Sequence, residues 1–80
     1  MVVTMEEVQT LVGVQLGIRK VSAEDRFMED LGAESADLLN IIAAAEASYN
    51  ISFDETDISK IRAVRELHDL ITRSEEAVKL

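Results

Sequence analysis

The sequence predicts an all-α fold, a small bundle of four helices of which three are longer and one is short. Apolar residues recur at the three- and four-residue spacing of a helix in separate segments, and cap residues mark where those segments start and stop. The length of 80 residues suits a single domain, residues 1–80, that buries roughly 60–65 % of its unfolded surface. A core of that size accommodates three or four short helices but leaves no room for a large enzyme cleft.

The first helix is predicted over residues 4–16. Thr4 and Glu7 stand three positions apart, as in a capping box, in which each side chain accepts a hydrogen bond from the other residue's N–H. Gly17 is a typical helix stop. The residues expected on the buried face are Met5, Val8, Leu11, Val12 and Leu16.

Residues 18–34 lack sustained periodicity and are predicted to form a long loop. Loops of this length are usually functional or wrapped on the core. We expect Phe27 and Leu31 to anchor this loop.

The second helix is predicted over residues 36–49. Its core side carries Leu38, Ile41, Ile42, Ala45 and Tyr49. The opposite side has mostly small side chains, which let another backbone approach closely. We therefore predict a docking face for partner proteins made of Glu34, Ala36, Asp37, Leu39, Asn40, Ala43, Glu46 and Ala47. The alternative is that the alanines were selected for helix propensity alone.

Two further helices are predicted after residue 53. A short one opens at Asp54 and runs through Ile58 and Ile61, and its acids lack the glycine and glutamate spacing of a calcium loop, so no metal site is expected. A last helix runs from about Val64 toward Ala77 without a recognisable cap, with Arg65, Glu66, Asp69, Arg73 and Glu75 outward. His68 borders its apolar side and is interpreted as a packing residue, since no second metal ligand is placed near it.

Ser35 is the strongest candidate functional residue. It follows the loop and stands at or beside the start of the second helix, where its hydroxyl stays within reach of solvent. A phosphate ester on this hydroxyl would lie near unpaired backbone N–H groups and the positive end of the helix dipole. No histidine or cysteine lies beside it to activate a nucleophile, which favours a modification acceptor over a catalytic serine. The plain alternative is a helix cap with no further role.

The stretch from Phe27 to Ser35, FMEDLGAES, resembles the acyl carrier proteins, small helical proteins modified by 4′-phosphopantetheine. The family pattern is Phe, two variable residues, Asp-Leu-Gly, a variable residue, then Asp-Ser-Leu. The resemblance extends over nearly the whole chain, including its length, its acidity and the later stretch from Tyr49 to Phe53. Two positions differ, because Glu34 replaces the usual Asp and Ala36 the usual Leu.

The resemblance implies that Ser35 receives phosphopantetheine from coenzyme A and that the thiol of this arm carries acyl groups as thioesters. The expected partners are a phosphopantetheinyl transferase and acyl-loading and acyl-processing enzymes with basic docking surfaces. The protein would be a carrier without catalytic residues of its own, in fatty-acid, specialised lipid or polyketide biosynthesis. Candidates to line an acyl pocket are Leu38, Ile42, Tyr49 and Ile61.

The charge distribution agrees with a protein partner of this kind. The formal net charge is −8, and residues 24–57 hold ten acidic residues against Arg26 alone. Such a surface repels nucleic acid and anionic lipid and attracts basic protein surfaces. With no cysteine, no signal-peptide pattern and no stretch long enough to span a membrane, we expect a cytoplasmic monomer.

Two other functions remain open from the sequence. One is a carrier for another cargo such as an amino acid, although those carriers usually show two glycines and a non-acidic residue before the serine. The other is an unmodified acidic interaction module, which Glu34, Ala36 and the alanine face would suit. A stand-alone enzyme is disfavoured, since no paired acid and base is evident.

Overall fold

A computed structural model describes the backbone of residues 2–78 and the side chains through residue 74. It contains four helices in this part of the chain: α1 (Met5–Leu16), α2 (Ser35–Tyr49), α3 (Glu55–Lys60) and α4 (Val64–Val78). The predicted all-α fold is confirmed. The predicted outward position of Glu75 concerns a side chain outside the described residues.

α1 begins and ends where local chemistry predicts. The Thr4 hydroxyl accepts a hydrogen bond from the Glu7 N–H at 3.2 Å, which is the threonine half of the predicted capping box. Gly17 ends the helix at φ +70°, a left-handed conformation that glycine adopts without a Cβ penalty.

The three long helices surround one hydrophobic core. α1 packs against both α2 and α4, and α2 also contacts α4. Burying these apolar side chains supplies the main favourable free energy of folding. The buried residues are Val3, Val8, Val12, Val21, Phe27, Ala33, Ile41, Ile42, Ala45, Ile51, Ile61, Val64, Leu67, Leu70 and Ile71.

α3 is short and carries no buried residue. The chain enters it after the Asp54 cap and leaves it at Ile61, whose side chain is in the core. α3 therefore lies on the surface, anchored mainly at its carboxyl end.

The start of α4 is capped from inside the helix. The Glu66 carboxylate accepts hydrogen bonds from the backbone N–H groups of Arg62 and Ala63, at 2.7 and 2.8 Å. Because Glu66 is the third residue of α4, its bond to the Ala63 N–H is the glutamate half of a capping box. The first N–H groups of the helix itself, those of Val64 and Arg65, donate to the carbonyls of Asp25 and Ala23 at 3.0 and 2.8 Å.

His68 has the packing role predicted for it. Its Nε2 atom lies 3.0 Å from the Val3 carbonyl oxygen, and its Nδ1 atom lies 3.3 Å from the Asp69 carboxylate. The ring thus joins α4 to the segment that precedes α1.

Candidate functional site

The loop before α2 folds into a tight turn around Arg26 and Phe27. The Arg26 carbonyl accepts hydrogen bonds from the N–H groups of Asp30 and Leu31, at 3.0 and 3.1 Å, and the Phe27 carbonyl accepts one from Ala33 at 2.8 Å. The Phe27 side chain is only 1 % exposed, which confirms it as the predicted anchor of the loop. The turn therefore leads directly from a core residue to the start of α2.

Asp30 and Gly32 stabilise this turn in different ways. The Asp30 carboxylate accepts hydrogen bonds from the Arg26 backbone N–H at 2.8 Å and from its Nε at 3.1 Å. The hydrogen bond to the Arg26 guanidinium, together with the backbone N–H and the nearby positive charge, lowers the pKa of Asp30. Gly32 lies at φ +68°, where an L side chain is strained.

A set of main-chain hydrogen bonds, here called the clamp, fixes the loop to the junction of α3 and α4. The Phe27 N–H donates to the Arg62 carbonyl at 2.9 Å, and the Val64 N–H donates to the Asp25 carbonyl at 3.0 Å. These bonds accompany a single antiparallel bridge between Arg26 and Ala63. The clamp thus holds together segments that are far apart in the sequence.

An ion pair beside the clamp joins the same segments through side chains. The Arg65 guanidinium binds the Glu24 carboxylate, and this hydrogen-bonded contact lowers the pKa of Glu24. Since both side chains are exposed, the contact contributes little to stability.

α2 begins at Ser35, one residue earlier than predicted, and Glu34 is its N-cap residue. The Asp37 carboxylate accepts a hydrogen bond from the Glu34 N–H at 3.0 Å. Ser35 is therefore the first residue of the helix, beside the cap. Its side chain is exposed, and its hydroxyl forms no hydrogen bond within the part of the chain that the structure describes.

An apolar groove of about 490 Å³ opens beside Ser35, between the loop, the start of α2 and α3. Met28 and Leu39 lie on it and are 49 % and 61 % exposed, although both are large apolar side chains. The complete lining is Phe27, Met28, Glu29, Ser35, Leu38, Leu39, Ile58, Ser59, Ile61 and Arg62.

Comparison with known proteins places this geometry in a family. The family described as the phosphopantetheine attachment site matches residues 6–71. An acyl carrier protein of Nitratidesulfovibrio vulgaris is 35 % identical over 72 residues, covering 88 % of this chain and 95 % of that protein. The chain belongs to the acyl carrier proteins.

Two further relatives agree with this assignment. An acyl carrier protein of Cyanidium caldarium is 41 % identical over 69 residues, covering 84 % of this chain and 80 % of that protein. The crystal structure of an acyl carrier protein from Thermotoga maritima is similar with a TM-score of 0.80 and 25 % identity, covering 94 % of this chain and 89 % of that one. The chain is thus a non-catalytic carrier, and its cofactor is phosphopantetheine.

The structure separates the four predicted pocket residues of this carrier. Leu38 and Ile61 line the groove, whereas Ile42 is buried in the core. Tyr49 lines a different cavity, of about 430 Å³, between α1 and the end of α2. The sequence grouped Leu38, Ile42 and Tyr49 by their shared helix face, but Tyr49 lies 14 residues after Ser35, which is about 21 Å along a helix.

The predicted docking face is largely exposed. Leu39 is the most prominent apolar side chain on it. Two acidic residues of the docking face also accept hydrogen bonds from main-chain groups. Asp37 accepts one from the Glu34 N–H, and Glu46 accepts one from the Phe53 N–H at 3.0 Å. Those two carboxylates therefore have a structural role. The exposed members are Glu34, Ala36, Leu39, Asn40, Ala43 and Ala47.

Several groove residues could not be found from the sequence. Met28, Ser59 and Arg62 reach the groove only because the clamp brings the loop against the α3–α4 junction. The spacing of apolar residues within one helix does not predict a contact between the loop and the α3–α4 junction, which are far apart in the sequence. Ile58 was placed on a helix with Ile61, but nothing in the sequence assigned it to the groove.

Two other kinds of site are absent from the part of the chain that the structure describes. Within those residues, no group of three or more His, Cys, Asp or Glu side chains is arranged to hold a metal ion. None of the described helices is both long enough and apolar enough to cross a membrane.

Proposed function

We propose that this carrier receives 4′-phosphopantetheine on Ser35 and carries acyl intermediates on that arm, in fatty-acid biosynthesis or a related lipid or polyketide pathway. The whole chain, residues 1–80, would act as one carrier domain. The observation that supports the proposal best is the Ser35 hydroxyl itself. It is exposed and makes no hydrogen bond to the described residues, because Glu34 and Asp37 form the cap that a serine often supplies.

The site suits attachment of the arm by a partner transferase. The Ser35 hydroxyl would attack the β-phosphate of coenzyme A, forming an oxygen–phosphorus bond. The bond between the two phosphates then breaks, and adenosine 3′,5′-bisphosphate leaves with its electron pair. The transferase supplies Mg²⁺ and the base that takes the hydroxyl proton, since His68 is held on α4 against Val3.

The first turn of α2 favours the product of that step. Its leading backbone N–H groups lack partners within the helix, and the helix dipole is positive there. An anionic phosphodiester on Ser35 is stabilised by both. Beyond the phosphodiester, the arm's thiol holds acyl groups as thioesters.

An acyl chain would enter the groove past Leu38 and Ile61. Both residues line it, and Ile42, four residues after Leu38 on the same helix, is buried in the core. We expect loading with a medium-length acyl chain to change the methyl chemical shifts of Leu38 and Ile61 first, then that of Ile42, while the ring shifts of Tyr49 change least. Unchanged shifts at all four would count against a chain inside the protein.

Partner enzymes would dock on the exposed side of α2. Glu34 supplies charge next to Ser35, and Leu39 supplies an apolar contact. Glu34→Lys should weaken transferase binding, and added salt should reduce the difference from the native carrier because surface charges are screened. Glu6→Lys, the same charge change on exposed α1, is the matched control. Equal effects of both variants would argue against docking at α2.

Intact mass after incubation with coenzyme A, Mg²⁺ and a broad-specificity transferase tests the central proposal. The native carrier should gain one phosphopantetheine. Ser35→Ala should gain none, while Ser48→Ala, an exposed serine of the same helix, should gain one. A folded native chain that gains nothing would overturn the proposal and favour an unmodified interaction module.

A further inference from the structure

Arg62 is placed to meet the arm on the groove. Of the described residues that line the groove, Arg62 alone is basic. It faces a wall that is otherwise mostly apolar and includes Ser35. Arg62 was not among the functional candidates found in the sequence.

The backbone of Arg62 is fixed on both sides. Its N–H donates to the Glu66 carboxylate at 2.7 Å, and its carbonyl accepts the clamp bond from Phe27 at 2.9 Å. Its Nη1 atom donates to the Ser59 carbonyl at 2.7 Å and to the Ile61 carbonyl at 3.2 Å. The guanidinium is therefore held at the rim of the groove by one nitrogen.

The rest of that guanidinium remains available. A guanidinium has five N–H donors in a planar fork, and Arg62 forms no ion pair with any carboxylate whose side chain the structure describes. Arg26 differs, because it binds Glu29 at 3.0 Å and Asp30 at 3.1 Å. Arg65 is likewise paired with Glu24.

The surroundings of Ser35 create a need for this charge. Glu34 and Asp37 flank the serine, and the chain carries a formal net charge of −8. A phosphodiester adds another negative charge at that point. Glu29, which also lines the groove, is paired with Arg26, and Arg26 also binds Asp30.

We propose that Arg62 binds the phosphodiester of the arm attached to Ser35 and directs the arm along the groove toward α3. An arginine suits this contact because its fork matches two phosphate oxygens. The inference rests on the proposed function, since it requires modification of Ser35. It assigns Arg62 a positioning role toward the arm.

Phosphorus-31 NMR of the modified carrier tests the inference directly. Arg62→Gln should shift the phosphodiester resonance relative to the native protein. Lys60→Gln removes the same charge two residues away, from a side chain that lines a different cavity, and should leave the resonance in place. Arg62→Lys keeps the charge without the fork and should give a smaller shift than Arg62→Gln. Added salt should reduce the native–Arg62→Gln difference, because an exposed ion pair is screened.

A second measurement needs no variant. The Arg62 Nε–Hε resonance of the native protein should move when the arm is added, and the Ser35→Ala protein treated in the same way should show no movement. An unmoved Arg62 resonance in a carrier whose mass shows the arm would overturn this inference alone. Equal phosphorus shifts in Arg62→Gln and Lys60→Gln would do the same. Absence of the mass gain itself would instead overturn the proposed function.

Discussion

Gly32→Ala should lower the free energy of unfolding and also slow the transfer of the arm to Ser35. The two effects can be told apart with a control variant. An alanine Cβ at this position would meet nothing within 4 Å, so its cost is conformational and not steric. Holding a non-glycine residue at φ +68° costs about 1–2 kcal/mol, of which about 0.4–1 kcal/mol is offset by the smaller freedom of the unfolded chain. The net loss is about 1 kcal/mol, or a fall in Tm of about 4–8 °C for a domain of this size.

Gly17→Ala is the matched control for this prediction. Gly17 has φ +70° and the same open space where a Cβ would lie, but it ends α1, away from Ser35. Both variants should therefore lose similar stability in thermal unfolding. Because Gly32 lies in the turn that presents Ser35, Gly32→Ala alone should slow transfer of the arm, by about tenfold or more, since small misplacements of a reacting group are costly. Equal transfer rates for the two variants would refute the argument that this turn positions the serine.

Three further predictions concern the scaffold. Glu66→Ala should cost about 1 kcal/mol in urea unfolding because two N–H groups lose their acceptor, while Glu66→Gln should retain most of the stability. Gly13→Ala should lower the melting temperature measured by circular dichroism, because the new Cβ would lie 2.6 Å from the Ile18 carbonyl oxygen. The clash costs about 1–3 kcal/mol, which exceeds the helix-propensity gain of about 1 kcal/mol. The contact between Asp30 and Arg26 lowers the pKa of Asp30, so its stabilisation is complete above the ordinary pKa of about 4 and is lost as the pH falls through the lowered value. Asp30→Asn lacks this titrating group. Its free energy of unfolding should therefore fall less on acidification than that of the native chain.

Features set by neighbouring residues were predictable from the sequence. α1 was predicted over residues 4–16 and is observed at Met5–Leu16. The two agree because Thr4 and Gly17, the residues at its two ends, each act within one helical turn. α2 was predicted from residue 36 and begins at Ser35. In that case two acids, Glu34 and Asp37, formed the cap in place of the serine.

The first residue of α4 could not be predicted from the residues that precede it. The residues before it, Arg62 and Ala63, include no typical cap. Glu66 supplies the acceptor from within the first turn. The helix itself was still predicted, because its apolar spacing carries more information than its first residue.

The candidate site was predictable only in part. Ser35 was predicted as the attachment residue because its motif and the helix start are both local. The groove was not, since its walls come from three segments that only the clamp brings together. For the same reason Leu38 and Ile61 meet there, whereas Tyr49, assigned to the pocket by helix face alone, lies near α1.

The clamp also determines how freely this protein can be redesigned. Its bonds join main-chain atoms of residues 25, 27, 62 and 64, so they do not involve the side chains of Met28 or Ser59. Met28 and Ser59, which line the groove, can then be exchanged to fit a bulkier or more polar cargo while Ser35 keeps its position. Proline should not be introduced at residue 27 or 64 in such variants, because it would remove the N–H that donates a clamp bond.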